Sequence, residues 1–217
     1  MKLLLIRHGQ TDDNHRQVFQ GHAGRGLNDR GREQAALLAA RLARAPIHLD
    51  ALYCSDLERA RETADILGRA LALTPTPDEA LREVNLGAWQ GLSLTEIQAQ
   101  FPDEWAAWRR GDDIRRGGGE TYREVGDRYE RAVARMTAQH PDGAIAIVSH
   151  GAAIKTFTAR VLGVPVPQMR SYQVPSNTGV CLFELTPEGW FKLVIWNDAA
   201  HLGDPLTEAL TGPHRTT

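Results

Sequence analysis

Two histidines stand in matching contexts. Lys2-Leu3-Leu4-Leu5-Ile6-Arg7-His8-Gly9 opens the chain, and Ala144-Ile145-Ala146-Ile147-Val148-Ser149-His150-Gly151 lies far downstream. Each is an apolar run that closes on a polar residue and then His-Gly. Such runs read as strands buried on both faces, the pattern of a parallel sheet. Ligands of open parallel sheets bind just outside the carboxyl ends of the strands. The pattern predicts two imidazoles at one sheet mouth, each followed by a glycine that lets a ligand or backbone come close. Arg7 beside His8 suits an anion, because a guanidinium grips two phosphate oxygens at once. A neutral imidazole nearby is a competent nucleophile toward phosphorus. Metal binding fits less well. His8, His15 and His22 are evenly spaced, but the spacing matches neither a helical pair nor a short loop pair of metal ligands. Arg7 would also repel a divalent cation.

Two further stretches add polar groups. In Ser55-Asp56-Leu57-Glu58-Arg59-Ala60-Arg61-Glu62, Ser55 or Asp56 is placed to cap a helix that follows a strand. A helix N-terminus offers N–H groups and partial positive charge to an anion. Arg59 or Arg61 then becomes a second phosphate clamp. The plainer reading pairs both arginines with Glu58 and Glu62 on a solvated face. In Leu81-Arg82-Glu83-Val84-Asn85-Leu86-Gly87-Ala88-Trp89-Gln90-Gly91, Glu83 is a candidate proton donor. A carboxyl shielded from water near a phosphate dianion is pushed toward its protonated form and can protonate a leaving oxygen.

The elements that must hold these groups alternate. A polar loop spans 10–27. Asn28 or Asp29 caps a helix with Ala35, Leu38, Ala39 and Leu42 on one face. A strand at 50–54 precedes a helix with Leu57, Ala60, Ala64, Leu67 and Leu71 inward. Residues 74–77 are extended, 81–91 form a covering loop, and a helix over 95–108 breaks at Pro102. Residues 112–119 read as a mobile, charged surface segment. Thr121 and Glu124 form a capping box before Val125, Tyr129, Val133 and Met136. A helix over 152–162 follows the second His-Gly strand. Strands at 178–185 and 190–196 flank a turn at Pro187-Glu188-Gly189. The predicted fold class is α/β, with helices on both faces of a mostly parallel sheet. One domain is expected over residues 1–202, with a disordered tail over 203–217.

Composition agrees. The chain has 217 residues, 42% hydrophobic, with 25 basic and 27 acidic residues. A net charge of −2 gives no field that favours nucleic acid or a membrane surface. No apolar run approaches a membrane span. Cys54 and Cys181 read as buried thiols in a reducing compartment, so a cytoplasmic protein is expected.

In order, the chain carries R-H-G-Q-T followed by Asn14, S-D-L-E-R-A-R-E-T-A, L-R-E-x-x-x-G-x-W-x-G, G-G-G-E-T and V-S-H-G. Together these resemble the histidine phosphatase superfamily, in its phosphoglycerate mutase-like branch, from about Leu3 to His201. The resemblance implies a three-layer α/β/α sandwich and a phosphorylated nucleophile at His8. Arg7, Arg59 and His150 would hold the phosphoryl group, with His150 protonated. Glu83 would act as acid and then as base. Asn14, Thr11, Gln20 and Gly21 would line the phosphate pocket. No metal or cofactor is implied, and the ligand would be a small phosphorylated metabolite. A homodimer is compatible with the sequence, which leaves oligomeric state open.

Phosphatases and 2,3-bisphosphoglycerate-dependent mutases share this core. The mutases carry a Tyr and a Lys where this chain has Leu86 and Leu94, which favours a phosphatase. Arg109-Arg110 and Arg115-Arg116 point the other way if they reach a second phosphate. The preferred reading leaves them solvated and balanced by Asp112 and Asp113. Trp105 and Trp108 read as packing residues. A binding module that kept only the pocket is a third reading, and the presence of nucleophile, clamps and acid argues against it.

Overall fold

The structure is a computed structural model and describes residues 1–203. The tail expected over 203–217 lies, apart from Gly203, outside the described residues. Six strands form one sheet: β1 Lys2–Arg7, β2 Ala51–Cys54, β3 Thr76–Pro77, β4 Ala144–Ser149, β5 Val180–Leu185 and β6 Phe191–Asp198. Their order is β3-β2-β4-β1-β5-β6. The first four are mutually parallel, and β5 and β6 add an antiparallel hairpin. The principal helices are α1 Asp12–His15, α2 Asp29–Arg44, α3 Glu58–Leu71, α4 Leu94–Gln100, α5 Pro102–Arg110, α6 Tyr122–Ala138 and α7 Gly151–Val161.

Period-two alternation splits the core into two layers. Leu3, Leu5, Ile145 and Ile147 pack with Val125, Tyr129, Ile154 and Phe157 of α6 and α7. Leu4, Ile6, Ala146 and Val148 pack with Leu38, Leu42, Ala60 and Leu67 of α2 and α3. Helices therefore cover both faces, as the apolar runs require. Parallel register sets Arg7 opposite Ser149. The next residue of each strand is a histidine, so His8 and His150 emerge side by side.

Three local expectations are corrected. The 10–27 loop contains α1, capped by Thr11 and Asn14 in a reciprocal box. Neither Ser55 nor Asp56 is the N-cap of α3. That position falls to Leu57, which makes no side-chain cap bond, because Ser55 turns toward His150 and Asp56 pairs with Arg82. The 112–119 segment is packed onto the protein. Gly117 N–H donates to Glu104 at 2.6 Å, and a Cβ on Gly119 would lie 2.0 Å from the Asn85 carbonyl oxygen.

Gly9 and Gly31 explain how α2 supports the His8 loop. A Cβ on Gly31 would sit 2.1 Å from the Gln10 carbonyl oxygen, and one on Gly9 would sit 2.5 Å from the Gly31 carbonyl oxygen. Gly9 therefore serves backbone packing. Gly31→Ala is expected to cost about 1–3 kcal/mol through overpacking and to lower turnover by displacing Gly9-Gln10. Urea denaturation with parallel kinetics tests this, and wild-type behaviour in both would refute it.

Candidate active site

His8 is 3% exposed. Its Nδ1 lies 2.7 Å from the Gly9 carbonyl oxygen, which can only accept, so Nδ1 carries the hydrogen and Nε2 keeps the lone pair. Burial, then Arg59 and Arg7, hold the ring well below the ordinary histidine value. His8 is thus a neutral imidazole.

His150 is fully buried, with its ring centre 5.2 Å from that of His8. Its Nε2 is 2.8 Å from Ser55 Oγ, and Nδ1 has no protein partner among the described residues. Ser55 Oγ already accepts the Leu57 N–H at 3.3 Å. With its second lone pair and its own hydrogen, the Ser55 hydroxyl can either accept from Nε2 or donate to it. Burial, followed by Arg59 and His8, keeps this ring uncharged. Nearby cations and full enclosure oppose a further charge here, so a protonated His150 depends on the compensating charge of a bound phosphate.

Arg59, 2% exposed, enters from the first turn of α3. Its Nη1 donates to Ala23 at 2.8 Å and its Nη2 to Gly21 at 2.6 Å. Burial lowers its pKa to about 10, which leaves it charged at neutral pH. Arg61 is exposed and does not join it. Arg7 Nη1 donates to the Pro175 carbonyl at 2.7 Å.

Glu83 comes from the loop after β3. Its carboxylate accepts the N–H groups of Val84 at 2.9 Å, Ala152 at 3.1 Å and Ala153 at 2.9 Å. The last two belong to the first turn of α7, so helix and loop are tied together at this side chain.

Arg7, His8, Asn14, Gln20, Gly21, Arg59 and Glu83 line one cavity of about 460 Å³. Thr11 does not line it. Its hydroxyl accepts the Asn14 N–H at 3.1 Å and so fixes Asn14 from below. Trp108 both lines the cavity and packs against Trp89, while Trp105 belongs to the aromatic cluster around Trp89. Leu86 and Leu94 form apolar wall.

Several supporting residues escaped the sequence reading. Asn177 Nδ2 donates to the His8 carbonyl at 3.0 Å and to Asn14 Oδ1 at 3.2 Å. Arg128 donates to the carbonyls of Ala80, Arg82 and Glu83 and pairs with Glu120. His22 also contacts the Glu83 carbonyl through Nε2, at 2.7 Å. The polar run Ser176-Asn177-Thr178 ahead of β5 was a usable signal for Asn177. Arg128, one of four arginines on α6, carried none. Among the described residues no group of three or more His, Cys, Asp or Glu is placed to hold a metal ion, and no helix is long and apolar enough to cross a membrane.

Buried neutral histidines make stability depend on pH. His8 and His150 are held well below 6.5, and burial lowers His201 to about 4. Below about pH 6.5 the unfolded chain takes up protons that the folded one refuses, so stability falls as pH falls. Each group contributes a slope of up to about 1.4 kcal/mol per pH unit. Unfolding free energy is expected to drop between pH 7 and pH 5, above the range where most carboxylates titrate, and less steeply in His201→Gln. Urea titrations at both pH values check this; equal stabilities would contradict it.

Parallel strands that present a neutral imidazole to a pocket walled by two guanidiniums, that of Arg59 buried, define an α/β enzyme built to handle a phosphoryl group. Comparison with known proteins agrees. The profile of the histidine phosphatase superfamily (branch 1) matches residues 3–199. Glucosyl-3-phosphoglycerate phosphatase of Mycolicibacterium vanbaalenii is 39% identical over 174 residues, covering 76% of each chain. Phosphoglycerate mutase-like protein 4 of Arabidopsis thaliana is 34% identical over 207 residues, covering 93% of this chain and 86% of that one. The solved structure of a mycobacterial glucosyl-3-phosphoglycerate phosphatase in complex with VO3 superposes with a TM-score of 0.82 at 32% identity, covering 90% of this chain and 98% of that one. The chain belongs to the histidine phosphatase superfamily. Its named phosphatase relatives support the phosphatase reading over the mutase reading.

Proposed function

We propose that this protein hydrolyses small phosphate monoesters through a phosphohistidine on His8, with no metal ion in the step. The observation that carries the proposal is the tautomer of His8. Its Nδ1–H is committed to Gly9, so Nε2 is the free nucleophile in a pocket with Arg7 and Arg59. The Nε2 lone pair attacks phosphorus as the ester P–O bond breaks. The leaving oxygen takes its proton from Glu83. Water then attacks the phosphohistidine, gives a proton to Glu83, and the P–N electron pair returns to Nε2. Arg7 and Arg59 meet the charge that spreads over the equatorial oxygens, and His150, its ring beside that of His8, adds a further polar group there. Asn14, Gln20 and Gly21 shape the pocket, and Thr11 positions Asn14.

The apolar Leu86 and Leu94 in the cavity wall supply no groups to retain a bisphosphate for isomerisation. Acid-labile, base-stable labelling of His8 by a labelled substrate tests the covalent step. Incubation with 3-phosphoglycerate and a trace of 2,3-bisphosphoglycerate tests the reaction class. Inorganic phosphate without isomer is expected, and isomer without phosphate would overturn the proposal. The unpaired, buried Cys54 and Cys181, whose thiols burial pushes up to about 12, fit a reducing cytoplasm.

A further inference from the structure

Behind His8 the backbone takes a conformation that needs holding. Thr178, two residues before β5, is fully buried and has a φ of 57°. That is the left-handed region, which a β-branched residue enters only at a cost in strain. The hydrogen bonds show what the turn achieves. The Thr178 N–H reaches the carbonyls of Arg7 at 3.0 Å and His8 at 3.3 Å, and Asn177 Nδ2 reaches the same His8 carbonyl at 3.0 Å. Clamp and nucleophile are thus tied to one turn. We propose that His201 and Thr178 are positioning residues for the reaction: His201, through the Thr178 hydroxyl, holds the left-handed turn that fixes His8. This rests on the phosphatase reading and extends its machinery to the chain after β6.

The Thr178 hydroxyl lies 2.7 Å from the Asn177 carbonyl oxygen and 2.8 Å from His201 Nε2. A carbonyl can only accept, so the hydroxyl hydrogen goes to Asn177, and Oγ1 accepts the hydrogen on Nε2. The lone pair of His201 then sits on Nδ1, which is buried with no partner among the described residues. Burial and Arg41 lower the ring to about 4, against the opposing pull of Asp198, so it is neutral at neutral pH. An apolar ring of similar size would fill this space without burying an unpaired nitrogen. What an imidazole adds here is the donor it offers to Thr178.

The chain around His201 grips the same turn at a second point. Asn197, near the end of β6, is also left-handed, with a φ of 56°. Its Oδ1 accepts the Ser176 N–H at 2.7 Å, and its Nδ2 donates to Ser176 Oγ at 3.3 Å. A Cβ on Gly179 would lie 2.3 Å from that Oδ1, so only glycine lets the two segments meet. Asp198 anchors the chain to α2. It accepts from both terminal nitrogens of Arg41, at 2.9 and 2.6 Å, and takes the Ala200 N–H at 3.0 Å. Residues 176–179 are therefore held between the end of β1 and a chain segment that is itself pinned to α2.

Three variants test the proposal. His201→Phe keeps a ring and removes the donor, His201→Gln keeps a donor near the place of Nε2, and Thr178→Val keeps the branched shape and removes the acceptor. With p-nitrophenyl phosphate, kcat is expected to fall about 10- to 100-fold in His201→Phe and Thr178→Val, the scale for a misplaced reacting group. Inorganic phosphate should still bind nearly as tightly by calorimetry, and His201→Gln should recover most of the rate. Wild-type kcat in a folded His201→Phe or Thr178→Val overturns the proposal. So does a Gln variant no better than Phe, or a loss of phosphate affinity as large as the loss of kcat, since either marks general damage. If His201→Phe does not fold, Thr178→Val decides. If the wild type turns over no ester, the hydrolytic reading fails by itself, and nitrogen NMR of the His8 ring then decides this one. The Nδ1–H form alone is expected in wild type and His201→Gln, and a mixture of tautomers in His201→Phe; one unchanged tautomer throughout overturns the proposal.

Discussion

His8→Ala is expected to release phosphate from any monoester at a rate lower by about 10⁴-fold or more. The argument is stereochemical. Nε2 of His8 is the nucleophilic lone pair that the pocket presents, because its Nδ1–H is held by Gly9 and Nε2 of His150 is turned to Ser55. Alanine leaves Arg7 and Arg59 in place, so inorganic phosphate should still bind, which calorimetry can confirm. The acid-labile phosphoprotein formed by the wild type should be absent. Retained turnover above a tenth of wild type, with phosphate binding intact, would show that water attacks the ester directly.

Arg59→Met is expected to lower kcat/KM by about 10³-fold, the scale for losing a preorganised donor at a centre of developing charge. A second effect separates this from simple misfolding. Burial lowers the pKa of His8 most, and Arg59 is the largest charge that adds to it. Without that cation the ring protonates more readily. The protonated ring has no lone pair, so activity fails as pH falls through its pKa. The acid limb of the kcat/KM profile should move to higher pH in Arg59→Met and much less in Arg59→Lys, which keeps the charge but loses the fork. An unmoved limb in Arg59→Met would show that Arg59 does not set the protonation of His8. The variant also strands the Gly21 and Ala23 carbonyls, so the loop before α2 should loosen. Proteolysis or hydrogen exchange over residues 20–27 would report it.

Chemistry and architecture were legible to different depths. His8 and His150 could be paired on paper because two apolar strands end in the same dipeptide, and the parallel register of β1 and β4 makes them neighbours. Glu83 could be nominated from its motif, but nothing local says that it is held by the first turn of α7, seventy residues away. The mobile-segment expectation for 112–119 failed for a related reason. Glycine and charge read as solvated loop when contacts are invisible, whereas Gly117 and Gly119 here let two loops meet backbone to backbone over Asn85–Trp89.

The order of strands and helices, the two-sided burial of β1 and β4 and the meeting of His8 with His150 at one sheet mouth were determined by the sequence itself. They follow from periodicity and from residue type, which are local properties of a chain. The neutrality of His150, the support of His8 by Asn177 and the burial of Arg116, read from the sequence as solvated, were decided only by tertiary structure. Desolvation and charge proximity depend on which distant segments come together, and no reading along the chain contains those distances.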